Sequence, residues 1–255
     1  MIYAIGDIHG QVTMLREMLA LLERQPLHAN DTLVFLGDYI DRGEDSRAVI
    51  ETLLDLQARH ENIVFLRGNH EQLMLDARDG PSPQPSPMPG FVLHSDPMAL
   101  WLQNGGVDTA LSYRISDWMH WWDEIPQSHW DFIEATQMEY ITPRYHFVHA
   151  GLLPPGRSWE GEPYGLDPRL WIRSEFLSSR TDFEGRTVVF GHTPQSSGRP
   201  LIKPNKIGLD TGAVFGGPLT AAAFDPDPPA RRAGAPRIFQ TPYACAETAL
   251  QNAMR

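Results

Sequence analysis

A pattern typical of a buried strand ends abruptly at Gly37-Asp38-Tyr39-Ile40-Asp41-Arg42-Gly43, directly after the apolar run Thr32-Leu33-Val34-Phe35-Leu36. The same change from an apolar run to glycine and polar residues recurs at Gly6-Asp7-Ile8-His9-Gly10, Arg67-Gly68-Asn69-His70, His149-Ala150-Gly151 and Gly191-His192-Thr193. In layered α/β proteins, ligands bind at the carboxyl ends of strands, where loops present side chains from a rigid sheet. We therefore expect these five loops to converge on one site.

The segments around these loops alternate between strand and helix patterns. Residues 11–24 and 47–59 carry apolar side chains at helical spacing, which predicts a β-α-β-α-β beginning. Further apolar runs of strand length occur at residues 62–66, 145–148, 187–190, 207–210, 219–224 and 237–240. The predicted fold class is therefore α/β.

The middle of the chain differs from both flanks. Residues 81–89 contain alternate prolines, which remove amide donors and favour an extended surface loop. From about residue 91 to residue 142 the pattern becomes helical and rich in aromatic side chains. We expect a single domain over residues 1–255, with a helical cap inserted at about residues 91–142.

Composition narrows the class of protein. The chain has 255 residues, of which 42% are hydrophobic, and a formal net charge of −11. Such a charge argues against general affinity for nucleic acid or anionic membranes. Cys245 is the only cysteine, so no disulfide can form within the chain. Because no signal segment is visible at the start, we expect a soluble, cytoplasmic protein of unknown oligomeric state.

The residues at the strand ends form a set of metal ligands. Two aspartates, an asparagine and three histidines stand there, namely Asp7, His9, Asp38, Asn69, His149 and His192. Oxygen and nitrogen donors without thiolates suit manganese, iron or zinc. Six ligands exceed the need of one ion, so a shared carboxylate divides them naturally between two ions of a hydrolytic site.

Four further residues suit a phosphoryl-transfer site. His70 follows Asn69 directly and is placed to protonate a leaving group, and Asp41 is able to orient it and to favour its protonated form. Arg42 and Arg173 are candidates for binding the phosphoryl oxygens, because guanidinium groups donate in a planar, bidentate manner. Glu71 either orients its neighbours or simply begins a helix.

Three motifs carry a resemblance to a known family. Gly6-Asp7-Ile8-His9-Gly10, Gly37-Asp38-Tyr39-Ile40-Asp41-Arg42-Gly43 and Gly68-Asn69-His70-Glu71 resemble the signature motifs of the phosphoprotein phosphatases, the relatives of calcineurin and of bacteriophage lambda phosphatase. The segments ending at His149, Arg173 and His192 are similar to the remaining motifs of this family. The resemblance covers roughly residues 2 to 224 and is strongest to bacterial members.

The resemblance implies a four-layer α-β-β-α sandwich of the calcineurin-like metallophosphoesterase type, with both sheets internal. It implies two divalent ions, most simply Mn²⁺, with iron or zinc pairs as alternatives. The first ion would be held by Asp7, His9 and Asp38, and the second by Asp38 as bridge with Asn69, His149 and His192. His70 with Asp41 would be the acid pair, and Arg42 and Arg173 the phosphate clamps.

Three functions follow as alternatives. The favoured one is hydrolysis of phosphoserine and phosphothreonine monoesters by direct attack of a hydroxide that two metal ions activate, with a phosphorylated protein or a small phosphoester as substrate. The rival is a symmetrical diadenosine tetraphosphate hydrolase, which the stretch from Asp210 to Thr220 resembles. Because such hydrolases commonly lack the aspartate found here as Asp41, its presence favours phosphomonoesters. A non-catalytic scaffold is the third alternative, and the complete ligand set argues against it.

Overall fold

The computed structural model of the chain describes residues 1–25, 28, 30–80, 96–162, 165–226 and 236–242. The proline-rich stretch at residues 81–89 and Cys245 lie outside the described residues, as does the beginning of the predicted cap. Within the described ranges, no helix has the length and apolar character needed to cross a bilayer.

The described chain forms two sheets. Its strands are β1 (Ile2–Ile5), β2 (Thr32–Phe35), β3 (Ile63–Phe65), β4 (Glu139–Ile141), β5 (Tyr145–Val148), β6 (Thr187–Phe190), β7 (Leu201–Lys203), β8 (Lys206–Gly208), β9 (Thr220–Phe224) and β10 (Arg237–Gln240). One sheet has the order β10-β9-β1-β2-β3 and the other has the order β4-β5-β6-β8-β7. In each sheet the central strands are parallel, β1-β2-β3 in the first and β5-β6-β8 in the second.

Eight α-helices lie between the strands along the described chain. They are α1 (Val12–Glu23), α2 (Ser46–Gln57), α3 (Asn69–Asp79), α4 (Pro97–Trp101), α5 (Val107–Tyr113), α6 (Gln127–Glu134), α7 (Pro168–Trp171) and α8 (Ser174–Ser178). The two helices predicted between the first strands are confirmed as α1 and α2. Asp45 begins α2 by accepting the backbone N–H of Ala48 at 2.9 Å, an N-cap that satisfies one free amide.

Alternating side chains divide the core into layers. On β1, Tyr3 and Ile5 pack with the apolar residues of α1 and α2, whereas Ile2 and Ala4 pack towards the second sheet. The opposite face of the second sheet packs on Phe176 of α8 and its neighbours. Helices therefore cover the outer face of each sheet and the two sheets meet face to face, so the α-β-β-α sandwich is confirmed.

The predicted cap range is helical only in part. Helices α4, α5 and α6 lie within residues 97–134, but β4 follows inside the same range and pairs antiparallel with β5. The sequence of β4 gave no strand signal because this short edge strand is half exposed and lacks an apolar run. The edge strand β7 was missed for the same reason, since two of its three residues are exposed.

Candidate metal centre

The structure brings all six predicted metal ligands together at the carboxyl ends of parallel strands. Asp7 follows β1, Asp38 follows β2, and Asn69 begins α3 just after β3. From the second sheet, His149 follows β5 and His192 follows β6. All six side chains are buried, with at most 5% exposure for any of them. The site thus lies where the carboxyl edges of the two sheets meet.

One group of possible ligand atoms contains His9, Asp38 and His70, all within 4.8 Å of one another. His9 Nε2 lies 3.3 Å from Asp38 Oδ2. Its other ring nitrogen, Nδ1, donates to the carbonyl of Ile40 at 3.0 Å. In the neutral ring, therefore, a bare nitrogen lone pair faces a carboxylate, which is the arrangement of two ligands around a cation.

A second group contains Asp38, His149 and His192, again within 4.8 Å. His149 Nδ1 donates to the carbonyl of Leu36 at 2.8 Å, so its Nε2 bears the lone pair. That Nε2 lies 3.0 Å from Asn69 Oδ1 and 3.4 Å from Asp38 Oδ1. Because Asp38 belongs to both groups, its carboxylate lies between the two clusters.

The residues present fit a pair of divalent cations. Asp7 Oδ1 and His192 Nε2 are buried without a hydrogen-bond partner, although a buried polar atom without a partner costs free energy. The lone pair of His149 faces oxygens rather than a donor, and that of His9 faces a carboxylate oxygen of Asp38 as well as a guanidinium nitrogen of Arg42. A cation in each group would satisfy all of these atoms at once, and the oxygen and imidazole donors suit manganese, iron or zinc.

Burial also favours the protonation state that metal ligands need. It lowers the pKa of His9 to about 3 and lowers the pKa of His149 and His192, so these rings are neutral near pH 7. Burial raises the pKa of Asp7, and the neighbouring Asp210 and Asp38 raise it further. Buried carboxylates so close together repel one another unless positive charge lies between them.

The backbone of the site is strained. Seven non-glycine residues of the described chain have positive φ, and five of them belong to the predicted site: His9 (46°), Asp38 (54°), Asp41 (72°), Arg42 (67°) and His192 (61°). Left-handed backbone costs such residues free energy and persists only where surrounding contacts enforce it. At Gly68, an added Cβ would lie 2.1 Å from Asp38 Oδ1, so only glycine leaves room for that carboxylate.

Glu71 holds two of the motifs together. Its carboxylate accepts the backbone N–H groups of Asp38 at 2.9 Å, Tyr39 at 2.8 Å and Gly68 at 2.8 Å. In the last of these contacts Glu71, the third residue of α3, accepts the backbone N–H of the N-cap residue Gly68 and so helps to begin the helix. Both readings of Glu71 from the sequence are therefore correct: it begins a helix and it orients its neighbours.

The two residues predicted to form an acid pair, His70 and Asp41, are in contact. His70 Nδ1 lies 2.7 Å from Asp41 Oδ2, and the two side chains are 1% and 0% exposed. Burial lowers the pKa of His70, but Asp38 and Asp41 outweigh this effect, so the pKa of His70 is raised above its usual value. With Nδ1 bonded to Asp41, Nε2 is the ring nitrogen that remains for the cavity, whose wall His70 helps to form.

Both predicted arginines line the same cavity, which has a volume of about 230 Å³. A guanidinium nitrogen of Arg42 lies 3.3 Å from His9 Nε2. Arg173, immediately before α8, reaches the cavity from the other sheet. Asp210 and Phe215 are among the lining residues that were not predicted from the sequence. Asp210 was predictable, because the run Ile207-Gly208-Leu209 before it repeats the pattern of the other five loops.

A sequence profile of the calcineurin-like phosphoesterases matches residues 1–217. The chain belongs to this family. The phosphoesterase is 31% identical to serine/threonine-protein phosphatase 1 of Salmonella typhimurium over 230 residues, which cover 87% of this chain and 90% of that relative. It is 26% identical to the symmetrical bis(5'-nucleosyl)-tetraphosphatase of a Janthinobacterium species over 284 residues, covering 86% and 91%.

The fold is also similar to that of a solved metallophosphoesterase from Sphaerobacter thermophilus. The TM-score is 0.52 at 18% identity, covering 99% of this chain and 93% of that one. The predicted family and fold are thus confirmed, and the protein is a metal-dependent phosphoesterase rather than a scaffold. The two named bacterial relatives differ in substrate, so the substrate has to be argued from the site itself.

Proposed function

We propose that this phosphoesterase is a serine/threonine protein phosphatase that hydrolyses phosphomonoesters. The observation that carries the proposal is the buried contact of 2.7 Å between His70 and Asp41. The oxygen that leaves a phosphoserine or phosphothreonine is an alkoxide, which is strongly basic and needs a proton as the bond to phosphorus breaks. A built acid pair is therefore most useful on this class of substrate.

The six predicted ligands would divide between two ions. Asp7, His9 and Asp38 would hold one ion, while Asn69, His149 and His192 would hold the other with Asp38 as the shared ligand. Manganese is the first expectation for both positions, because carboxylate, amide and imidazole donors suit it. When bound, such a pair supplies Lewis acidity that polarises phosphoryl oxygens and makes water a nucleophile near neutral pH.

The arginines would bind the phosphoryl group. Arg42 and Arg173 reach the cavity from different sheets, so their guanidinium groups are able to donate to separate phosphoryl oxygens. Charge-assisted, bidentate hydrogen bonds of this kind strengthen as negative charge accumulates on those oxygens in the transition state. Their local charge also attracts an anionic substrate to a protein whose net charge is −11.

His70 would complete the reaction by proton transfer. As the bond between phosphorus and the leaving oxygen breaks, the proton on Nε2 passes to that oxygen and the electron pair of the bond goes with it. Asp41 stabilises the imidazolium before the transfer and fixes the ring so that Nε2 points at the cavity. General acid catalysis of this kind contributes roughly 10²–10⁴-fold to a rate.

A second candidate is hydrolysis of dinucleoside polyphosphates, which the tetraphosphatase relative favours. An uncharged groove of about 430 Å³ adjoins the cavity and shares Pro194 and Phe215 with it. A groove of that size and polarity accepts either a nucleoside or a peptide segment. The leaving group of a phosphoanhydride is a phosphate, however, which needs little help from an acid, so the acid pair supports the monoesterase.

An initial-rate comparison tests the proposal. A phosphothreonine peptide, p-nitrophenyl phosphate and diadenosine tetraphosphate are each supplied to the protein with excess Mn²⁺, and the kcat/KM values are compared. We expect the peptide to exceed the dinucleotide, and Asp38→Asn to abolish all three activities. A kcat/KM higher for diadenosine tetraphosphate than for the peptide would move the protein to the second candidate function.

A further inference from the structure

The carboxylate of Asp41 is held by more than His70. Its other oxygen, Oδ1, accepts the indole N–H of Trp101 at 3.1 Å and the hydroxyl of Thr109 at 2.6 Å. Asp41, Trp101 and Thr109 are each 0% exposed and His70 is 1% exposed, so water does not compete for these contacts. Both additional donors come from one short segment, residues 101–109, which joins the end of α4 to the beginning of α5.

Only one arrangement of protons satisfies this cluster. The ionised Asp41 carboxylate is acceptor only, so the single hydroxyl proton of Thr109 goes to it. The hydroxyl of Ser46, 2.9 Å from that of Thr109, must then donate to Thr109. The backbone N–H of Asp41 points between the two hydroxyls, at 3.0 Å from Ser46 and 2.9 Å from Thr109. Every polar atom of the cluster has a partner, which is typical of a buried network with a defined geometry.

The same segment also holds the neighbouring arginine. The backbone N–H of Arg42 donates to the carbonyl of Gly105 at 3.2 Å, and its Nε donates to the carbonyl of Asn104 at 3.2 Å. Gly105 has a φ of 107°, and a Cβ there would lie 2.5 Å from Arg42 Cγ, so this approach requires glycine. Asp41 and Arg42 both have left-handed backbone, with φ of 72° and 67°, which these contacts help to enforce.

We propose that residues 101–109, here called the brace, form the element that positions the acid pair and the phosphate-binding arginine. A carboxylate turns readily about its last side-chain torsion, because that torsion has a broad energy profile. With two donors on Oδ1, the Asp41 carboxylate keeps Oδ2 directed at His70 Nδ1 and keeps His70 Nε2 directed at the cavity. Trp101 and Thr109 are thus positioning residues for proton transfer. The inference rests on the acid role of His70 stated under the proposed function.

The test separates proton transfer from the rest of catalysis. Thr109→Val removes the hydroxyl with almost no change in shape, and Trp101→Phe removes the indole N–H while leaving a ring to stack on Trp121, 4.7 Å away. Each variant is assayed with Mn²⁺ on an alkyl phosphate and on p-nitrophenyl phosphate. We expect kcat on the alkyl phosphate to fall about 10–100-fold, kcat on the nitrophenyl ester to fall less than about 3-fold, and KM to change little. Thr109→Ser restores the hydroxyl and should restore the alkyl phosphatase rate.

Matched variants distinguish positioning from simple loss of a buried contact. Thr52→Val removes a hydroxyl that donates to Ala48 O within α2, and Trp130→Phe removes an indole N–H that donates to Trp122 O in the same aromatic cluster. Neither should alter the ratio of the two rates. Calorimetric titration with Mn²⁺ should give the same stoichiometry for Thr109→Val as for the wild type, which excludes loss of the metal site.

His70→Asn is the reference for the acid role. If it selectively lowers the alkyl phosphatase rate while Thr109→Val and Trp101→Phe do not, the brace is not a positioning element and the inference is overturned. An equal loss of kcat on both substrates in the brace variants would overturn the inference too. If His70→Asn itself shows no selectivity for leaving group, the acid role fails, and the inference falls with that part of the proposed function.

Discussion

The carboxylate of Glu71 accepts the backbone N–H of Asp38 at 2.9 Å, although the two residues are 33 positions apart. Asp38 has left-handed backbone, with φ of 54°, and its carboxylate belongs to both groups of possible metal ligands. Glu71 also accepts the N–H of Tyr39 at 2.8 Å, so it binds the two consecutive backbone amides on either side of the Asp38 Cα. The direction of the shared carboxylate thus depends on a residue of a different motif.

Glu71→Gln should weaken metal binding without a change in side-chain volume. The substitution keeps the shape of the side chain but places an NH₂ group among backbone N–H donors, which leaves a buried amide without an acceptor. We expect the affinity for Mn²⁺ to fall roughly 10–100-fold, and the free energy of unfolding to fall by about 1–3 kcal/mol. Calorimetry and urea unfolding measure the two effects. The exposed Glu61→Gln is the control, and an unchanged Mn²⁺ affinity in Glu71→Gln would contradict this role.

Metal removal should destabilise the protein. When no cation is bound, the buried carboxylates of Asp7, Asp210 and Asp38 repel one another. Burial and this repulsion raise the pKa of Asp7. We expect Mn²⁺ at 100 times its dissociation constant to raise the free energy of unfolding by about 2.7 kcal/mol. Thermal unfolding with and without a chelator measures this gain. Asp38→Asn should lose more than half of it, whereas Asp55→Asn, an exposed residue of α2, should keep it. A gain of equal size in both variants would argue against Asp38 as a ligand.

Phe215 should affect substrates that extend beyond the phosphate. Its ring is 66% exposed, lies 6.0 Å from the guanidinium carbon of Arg42, and borders both the cavity and the adjoining groove. Phe215→Ala removes an apolar surface that a substrate would cover, worth on the order of 1 kcal/mol. We expect KM for a phosphothreonine peptide to rise about 5-fold, with little change for inorganic phosphate as an inhibitor. Leu111→Ala, an equally exposed apolar residue on α5, is the control. A KM that stays constant in Phe215→Ala would show that the peptide substrate does not contact the Phe215 ring.

Lys206 should make the stability of the protein depend on pH in the alkaline range. Its side chain is fully buried, and its ammonium donates to the carbonyls of Phe176 at 2.5 Å and Ser179 at 2.8 Å. Burial, with a smaller contribution from Lys203, lowers the pKa of Lys206 from 10.5 to about 8. Between these two values the unfolded chain binds more protons than the folded one, so stability rises with pH. Below pH 8 the cost of the buried charge is fully present, and above pH 10.5 it is absent.

The difference between variant and wild type isolates this effect from other titrations. Relative to Lys206→Met, the free energy of unfolding of the wild type should rise by up to about 3 kcal/mol across that window. Lys203→Met, which removes an exposed lysine from the neighbouring strand β7, should keep most of this rise, because burial rather than Lys203 is the larger cause of the lowered pKa of Lys206. Parallel curves for the wild type and Lys206→Met in urea unfolding at pH 8 to 10.5 would refute the prediction.

The sequence predicted which residues converge better than it predicted the edges of the two sheets. A shared pattern pointed to Asp7, His9, Asp38, Asn69, His149 and His192: each lies where an apolar run changes to glycine and polar residues, and such strand ends converge in a layered fold. The edge strands β4 and β7 were not, because exposed strands need no apolar run. The contacts of Trp101 and Thr109 with Asp41 were hidden for a different reason. Trp101 and Thr109 lie 60 and 68 positions from Asp41, so they meet it only through tertiary packing, and aromatic residues in a helix usually indicate core.

The acid role of His70 is tested most directly by the effect of His70→Asn on two substrates and on metal content. If the metal ligands activate the phosphate and His70 only donates the proton, the variant should still bind two Mn²⁺ ions per chain by calorimetry. Its kcat should fall roughly 10²–10⁴-fold on a phosphothreonine peptide, and far less on p-nitrophenyl phosphate, whose leaving group needs no proton. An equal fall on both substrates with both ions retained would contradict the acid role, and loss of an ion would make His70 a metal ligand instead.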